Sequence, residues 1–336
     1  MAARHAAHLV ALAGAALLGL GVAACGGSES SGERITAGLI VKQEDNPFFV
    51  TMRETAQDVA EENNVELLTA AGKSDVDNAS QVAALEDMTA KKAQGILIVP
   101  ADSEAIVPAI EKARQAGVTV IALDSPTDPE SAVDAIFATD NTRAGELIGS
   151  YAKAKAKAEG VEPKIAMLDL APGIVLGQQR HDGFLKGFSI ADGDAQIVGM
   201  ADTEGNQEKA QAAMERLLEQ DEDINVVYTI NEPAAFGAAA ALEAAGKGED
   251  DVILVSVDGG CEAIKEYVRP GVIDATSQQY PENMAREGVQ AIAAAARGGE
   301  QPPSLVNTGV ELITAFPVEG VQSRDEGWGT RNCWGG

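Results

Sequence analysis

Ile35-Thr36-Ala37-Gly38-Leu39-Ile40-Val41 runs through the polar stretch Lys42-Gln43-Glu44-Asp45 into Asn46-Pro47-Phe48-Phe49. The first seven residues form an apolar run of the kind that builds a buried strand. Pro47 then suits the first turn of a helix, where its missing N–H has no partner to lose. Strand, turn and helix in that order open a βαβ unit, and open α/β sheets hold ligands at the carboxyl ends of their strands. Aromatic residues make up only 4% of the chain. Two adjacent Phe at such an edge therefore mark either a flat surface offered to a ligand or the core side of the next helix.

The same alternation continues along the chain. Apolar, β-rich runs predict strands at 65–69, 95–99 and 118–124, and a second set at 165–170, 196–200, 226–230 and 252–257. Amphipathic segments between them start near Pro47, Asn78, Ala105, Thr142, Gly177, Asn206, Pro233 and Pro281, several preceded by an Asn or Asp able to cap orphan amides. The fold class expected is α/β, with two Rossmann-like lobes built on parallel sheets. Residues 135–141, a short apolar run ending in polar residues, read as the first crossing between lobes. Residues 321–336, with Trp328, Cys333 and Trp334, read as a tail that must dock to be ordered.

The amino terminus carries Arg4, an apolar run over 9–20, and Val22-Ala23-Ala24-Cys25. This reads as an export signal, too short to span a bilayer. Small residues followed by Cys resemble the lipobox of bacterial lipoproteins, which makes 1–24 the signal peptide and Cys25 the acylated first residue. Cleavage of an ordinary signal nearby is the alternative. Residues 25–33, rich in Gly and Ser, read as a flexible tether. The expected location is outside the cytoplasm, lipid-anchored to the outer face of the cell membrane.

The formal net charge is −27, and loss of Arg4 with the signal makes it more negative. So acidic a chain excludes nucleic acid as a partner. Its 336 residues favour two domains over a single core. With Cys25 assigned to lipid, Cys261 and Cys333 remain as an even pair in an oxidising compartment, which suggests a disulfide holding the tail. Two buried free thiols are the alternative.

The carboxyl ends of the expected strands carry Lys42 and Asn46, then Asp124, Asn231 and Asp258, with Gln279 closing the run 274–279. One amide or carboxylate per strand end places several hydrogen-bonding groups around one crevice. That set suits a sugar: Asp accepts from hydroxyls, Asn and Gln do both, Arg180 donates in a fork, and an aromatic covers the C–H face. Each residue alone is equally well explained as a cap or turn former. Enzyme chemistry lacks its parts. His5 and His8 lie in the signal, leaving His181, read as a helix-surface residue, and there is no GxGxxG, GxxxxGK[ST], GxSxG, CxxC or HExxH. Asp124 and Asp258 as a glycosidase pair or calcium site form the remaining alternative; no metal and no cofactor is expected.

With these residues in place, the chain resembles the substrate-binding lipoproteins of bacterial sugar ABC importers, the ribose-binding class with the type I periplasmic-binding-protein fold. The motifs are Asn46-Pro47-Phe48-Phe49, Ala122-Leu123-Asp124-Ser125, Arg180 ahead of Asp182-Gly183-Phe184, Asn231-Glu232, Val257-Asp258-Gly259-Gly260 and Gln279-Tyr280-Pro281. Gly260-Cys261 and Cys333-Trp334-Gly335 resemble the fructose-binding branch. The resemblance implies that Phe48 and Phe49 stack on a monosaccharide, fructose first, while Asn46, Asp124, Arg180, Asn231, Asp258 and Gln279 bond its hydroxyls. Ser125 stands where ribose binders usually carry Arg, Lys42 where they have a small polar residue, and an aromatic near 203–206 is absent. Lys42 and Ser125 are therefore included among the ligand-binding residues. The resemblance further implies a monomer that hands its sugar to ABC permease subunits, and three crossings near Thr139, Gln279 and Gly309. The amino lobe is then 34–139 with 280–308, and the carboxyl lobe 140–279 with 309–336.

Overall fold

The computed structural model describes residues 34–336; the signal, Cys25 and the whole tether lie outside the described residues. The amino-lobe chain runs β1 (Ile35–Val41), α1 (Pro47–Glu62), β2 (Val65–Ala71), α2 (Asn78–Ala90), β3 (Gly95–Ile98), α3 (Val107–Gln115), β4 (Thr119–Leu123) and β5 (Ala135–Ala138). It continues into α4 (Asn141–Glu159), β6 (Ile165–Asp169), α5 (Val175–Phe188), β7 (Ile197–Asp202), α6 (Gln207–Gln220), β8 (Val226–Thr229), α7 (Glu232–Ala244), β9 (Ile253–Asp258) and β10 (Ala275–Gln278). It returns through α8 (Pro281–Ala296) and β11 (Leu305–Asn307), then ends with β12 (Glu311–Ile313) and α9 (Glu326–Asn332).

Two six-stranded sheets result, ordered β11-β5-β4-β3-β1-β2 and β12-β10-β9-β8-β6-β7. All neighbours are parallel except β10 and β12. In each sheet the order reverses beside the first strand of the lobe, and such switch points place a crevice at the strands' carboxyl ends. The two crevices face one cleft. The chain changes sheet after β5, after β10 and between β11 and β12, and from these three connections Thr139, Gln279 and Gly309 come together, the Thr139 Oγ1 lying 3.0 Å from Gln279 Oε1 and 3.4 Å from the Gly309 carbonyl. One hydroxyl thus ties all three connections.

Three differences from the sequence reading have physical causes. Residues 135–138 are a strand, paired with β4 and β11, and the crossing starts only after it; four wholly buried residues show no alternation to read. Strand β10 is polar yet buried, because Ser277 donates to the Ala144 carbonyl at 2.7 Å and Gln278 to that of Gly259 at 2.9 Å. The tail does not stay with the carboxyl lobe. Cys261 and Cys333 form a disulfide with Cα atoms 4.9 Å apart, and beyond it Trp334 enters the amino-lobe core beside Phe48 and Met52.

The arrangement of α4 and α5 decides where Arg180 goes. Gly145 and Gly149 on one helix face Gly183 and Gly187 on the other, and a Cβ at any of them would lie 2.1–2.3 Å from a carbonyl oxygen of the opposite helix. Backbones can approach this closely only without side chains between them.

Candidate functional site

Between the lobes lies a small cavity lined by Lys42, Asn46, Phe48, Phe49, Asp75 and Asp124 from the amino lobe. Leu170, Leu176, Arg180, Ile230, Asn231 and Asp258 come from the carboxyl lobe, and Gln279 from the crossing. Nine of the ten ligand residues expected from sequence meet here. Ser125 is buried beside Asp124 but is not part of the lining.

Each polar group is delivered by a strand end or helix start. Asn46 caps α1, its Oδ1 accepting from the Phe48 amide at 2.9 Å. Asn231 caps α7 by accepting from the Ala234 amide at 3.0 Å, and its Nδ2 donates to the Gly205 carbonyl at 3.2 Å. Both capping residues also line the cavity. Asp124 and Asp258 close β4 and β9 with φ of +61° and +111°, a region that costs non-glycine residues on the order of 1–3 kcal/mol and concentrates at ligand clamps.

Arg180, 2% exposed, is the best-anchored cation. Its Nε donates to Asn141 Oδ1 at 2.9 Å, and its Nη1 donates to the Ile230 carbonyl at 2.8 Å and to Asp258 Oδ1 at 3.3 Å. Asp258 also accepts from Gln279 Nε2 at 2.7 Å and, through Oδ2, from the Glu232 amide at 3.0 Å. The charge that a helix start disfavours is thus answered by a carboxylate. Lys42, also 2% exposed, makes no ion pair within 4.0 Å; its charge acts on Asp75 and Asp124 through space.

Burial raises all three cavity carboxyls. Asp75 is pushed up to about 6 against the pull of Lys42, with Asp124 and Asp258 adding to the rise. Asp124 is raised by burial, opposed by Lys42 and Arg180, and its Oδ1 is buried with no protein partner. Asp258 is raised by burial and restrained first by Arg180. Behind it, burial and the Asp258 charge push Glu232 to about 8, although its Oε2 accepts from the Gly260 amide at 2.7 Å. A buried acceptor without a donor is costly, so Asp124 Oδ1 is left with an unmet hydrogen bond in a residue that lines the cavity.

Sequence reasoning missed Asp75. It sits in the polar loop after β2, the sheet edge that supplied the other candidates, and accepts from Gln43 Nε2 at 2.8 Å. It reaches the opposite lobe: a Cβ on Gly205 would lie 3.1 Å from its Oδ2. The segment near 203–206 where an aromatic is absent therefore faces a carboxylate. His181 is a correction, since it is buried rather than on the helix surface, with Nδ1 2.9 Å from Asp169 Oδ1; that bond, ahead of desolvation, raises its pKa. Among the described residues no cluster of His, Cys, Asp or Glu could hold a metal ion, and no helix is long and apolar enough to cross a membrane.

The lobes touch across the mouth of the cleft. The Ser103 amide donates to the Gly173 carbonyl at 3.0 Å, and the Val175 amide donates to Ser103 Oγ at 3.1 Å. The cavity thus combines two aromatic rings with charged and amide side chains, and the polar groups come from both folded halves.

Comparison with known proteins agrees with this architecture. The family model described as a periplasmic binding protein domain matches residues 37–301. The ribose import binding protein of Haemophilus influenzae is 31% identical over 281 residues, covering 84% of this chain and 90% of that protein. The D-ribose/D-allose-binding protein of Pseudomonas aeruginosa is 29% identical over 294 residues, with the same coverage of 84% and 90%. Among solved structures, an ABC transporter solute-binding protein from Agrobacterium vitis with bound D-fucose shares 26% identity at a TM-score of 0.78, covering 89% of this chain and 99% of that one. One from Actinobacillus succinogenes with bound D-allose shares 28% identity at a TM-score of 0.74, covering 83% and 97%. On the matched family domain, the two sheets and the inter-lobe cleft, this chain belongs to the periplasmic binding protein family and has its type I fold.

Proposed function

We propose that the chain is the extracytoplasmic receptor of an ABC-type sugar importer, which closes two lobes on one monosaccharide and passes it unchanged to the permease subunits. The observation that carries this reading is the enclosed cavity itself, where Phe48 and Phe49 meet carboxylates and cations drawn from both lobes. A sugar offers C–H faces to rings and hydroxyls that donate to carboxylates and accept from Arg and Lys. Of the two carboxylates a retaining or inverting pair would need, Asp258 is already engaged, accepting from Arg180, Gln279 and the Glu232 amide, and only Asp124 keeps an oxygen without a protein partner, which favours binding over turnover. Cys25 as the lipid-bearing residue, and a single copy as the working unit, belong to the same reading.

Fructose is the favoured ligand, on the motifs that resemble fructose-binding proteins and on Lys42 and Ser125, which stand where ribose binders usually carry other residues. The names of the curated relatives support ribose or allose as the second reading. A thermal-shift panel of D-fructose, D-allose and D-ribose tests the assignment. A ligand at 100 times its Kd stabilises the native state by about 2.7 kcal/mol, a rise of several degrees. Fructose is expected to give the largest shift, and NMR of the mixture should recover it unaltered. A shift with allose or ribose alone would replace the ligand, and chemical conversion of any sugar would replace the receptor reading.

A further inference from the structure

The residue that follows the disulfide joins the tail to the cavity wall. Trp334 is 3% exposed and is held at three points. Its carbonyl accepts from the Cys261 amide at 2.9 Å, its Nε1 donates to the Gln279 carbonyl at 3.0 Å, and its ring meets Phe48 edge-on with centroids 5.4 Å apart. Phe48 in turn meets Phe49 edge-on at 5.4 Å. Both Phe rings and Gln279 line the cavity. Tail residues past Cys333 also approach α1, since a Cβ on Gly335 would lie 3.6 Å from Pro47 Cβ.

The tail is therefore anchored on one lobe by Cys261–Cys333 and seated in the core of the other by the indole. We propose that Trp334 is a positioning residue for the ligand cavity: the disulfide-held tail acts as a fourth link between the lobes, setting the Phe48–Phe49 wall and the Gln279 crossing in their ligand-binding geometry. This rests on the receptor reading above. Edge-to-face rings hold one another in a preferred orientation, and a wall fixed before binding loses less freedom when the ligand arrives. The Gln279 side chain bonds Asp258 and lies beside Thr139, so the indole's grip on the Gln279 backbone also reaches the carboxylate network and the hinge.

The test compares the parent with Trp334→Ala, Trp334→Phe and the paired Cys261→Ser, Cys333→Ser variant. Calorimetry with D-fructose, D-allose and D-ribose should show Trp334→Ala and the Ser pair binding at least about tenfold more weakly. Trp334→Phe, which keeps a ring on Phe48 but loses the bond to Gln279, should recover part of that loss. A Trp334→Ala protein that melts lower yet binds sugar within about twofold of the parent overturns the proposal and leaves the tail a purely structural element. In a Trp328→Phe background, where Trp334 is the sole indole, sugar should shift the emission; an unchanged spectrum counts against the coupling. Amide exchange without ligand separates this inference from the receptor reading. Phe48, Phe49 and Gln279 should exchange faster in Trp334→Ala whichever sugar binds, and unchanged protection there overturns the proposal even if none of the three sugars binds.

Discussion

Glu232 shows how one buried group sets a pH dependence behind the cavity. Its carboxyl titrates near 4.5 in the unfolded chain and near 8 when folded, because burial, reinforced by Asp258, disfavours its charge. Between those values the folded protein keeps a proton that the unfolded chain has released, so stability falls as pH rises from about 5 to 8. Glu232→Gln, which mimics the protonated acid, is expected to flatten that slope and to raise the melting temperature at pH 8, by an amount corresponding to a few kcal/mol. Melting curves at pH 5, 6.5 and 8 check this, and a slope equal to the parent's would place the titration elsewhere. Asp75, raised to about 6, adds a fall of the same sign at lower pH.

At the scale of elements, the packing of α4 against α5 positions Arg180 before any ligand arrives. Gly183→Ala would set a methyl 2.2 Å from the Thr142 carbonyl, and such overpacking typically costs about 1–3 kcal/mol. Denaturant unfolding should register that loss, with weaker sugar binding beside it, because displacing α5 moves the guanidinium from Asn141 and Asp258. A variant of parental stability would show that the helices can separate without cost. The main strands were legible in the sequence because apolar runs and caps repeat with the βαβ period, and most residues of the candidate site were legible because several of those strands end in a polar residue. Strand β10 was not, since its buried Thr, Ser and Gln are paid for by hydrogen bonds rather than by apolar burial. Strands β11 and β12 are too short to show a period, and Asp75 lay in a loop whose reach to Gly205 depends on tertiary structure. The close approach of glycines on α4 and α5 is likewise visible only once the helices are paired.

At the scale of the whole molecule, the proposed function is the closure of two lobes between which the chain passes after β5, after β10 and after β11. A guest bonded from both sides favours the closed form by the difference in its affinity for closed and open states. The Ser103 contacts join the two lobes in this structure, and under the proposed function they hold the closed form. Ser103→Ala, which removes the acceptor for the Val175 amide, should raise the dissociation rate of sugar by roughly threefold to tenfold with little change in the association rate. Stopped-flow traces showing the reverse pattern would place that contact on the entry path instead. The central claim is that polar groups from both lobes hold one sugar, and calorimetry of the parent, Asp124→Ala and Arg180→Ala with fructose tests it most directly. The expected result is one sugar per chain, with each variant weaker by about 1.5–3 kcal/mol, roughly tenfold to more than a hundredfold. Parental affinity in both variants, or a loss confined to one lobe, would contradict it.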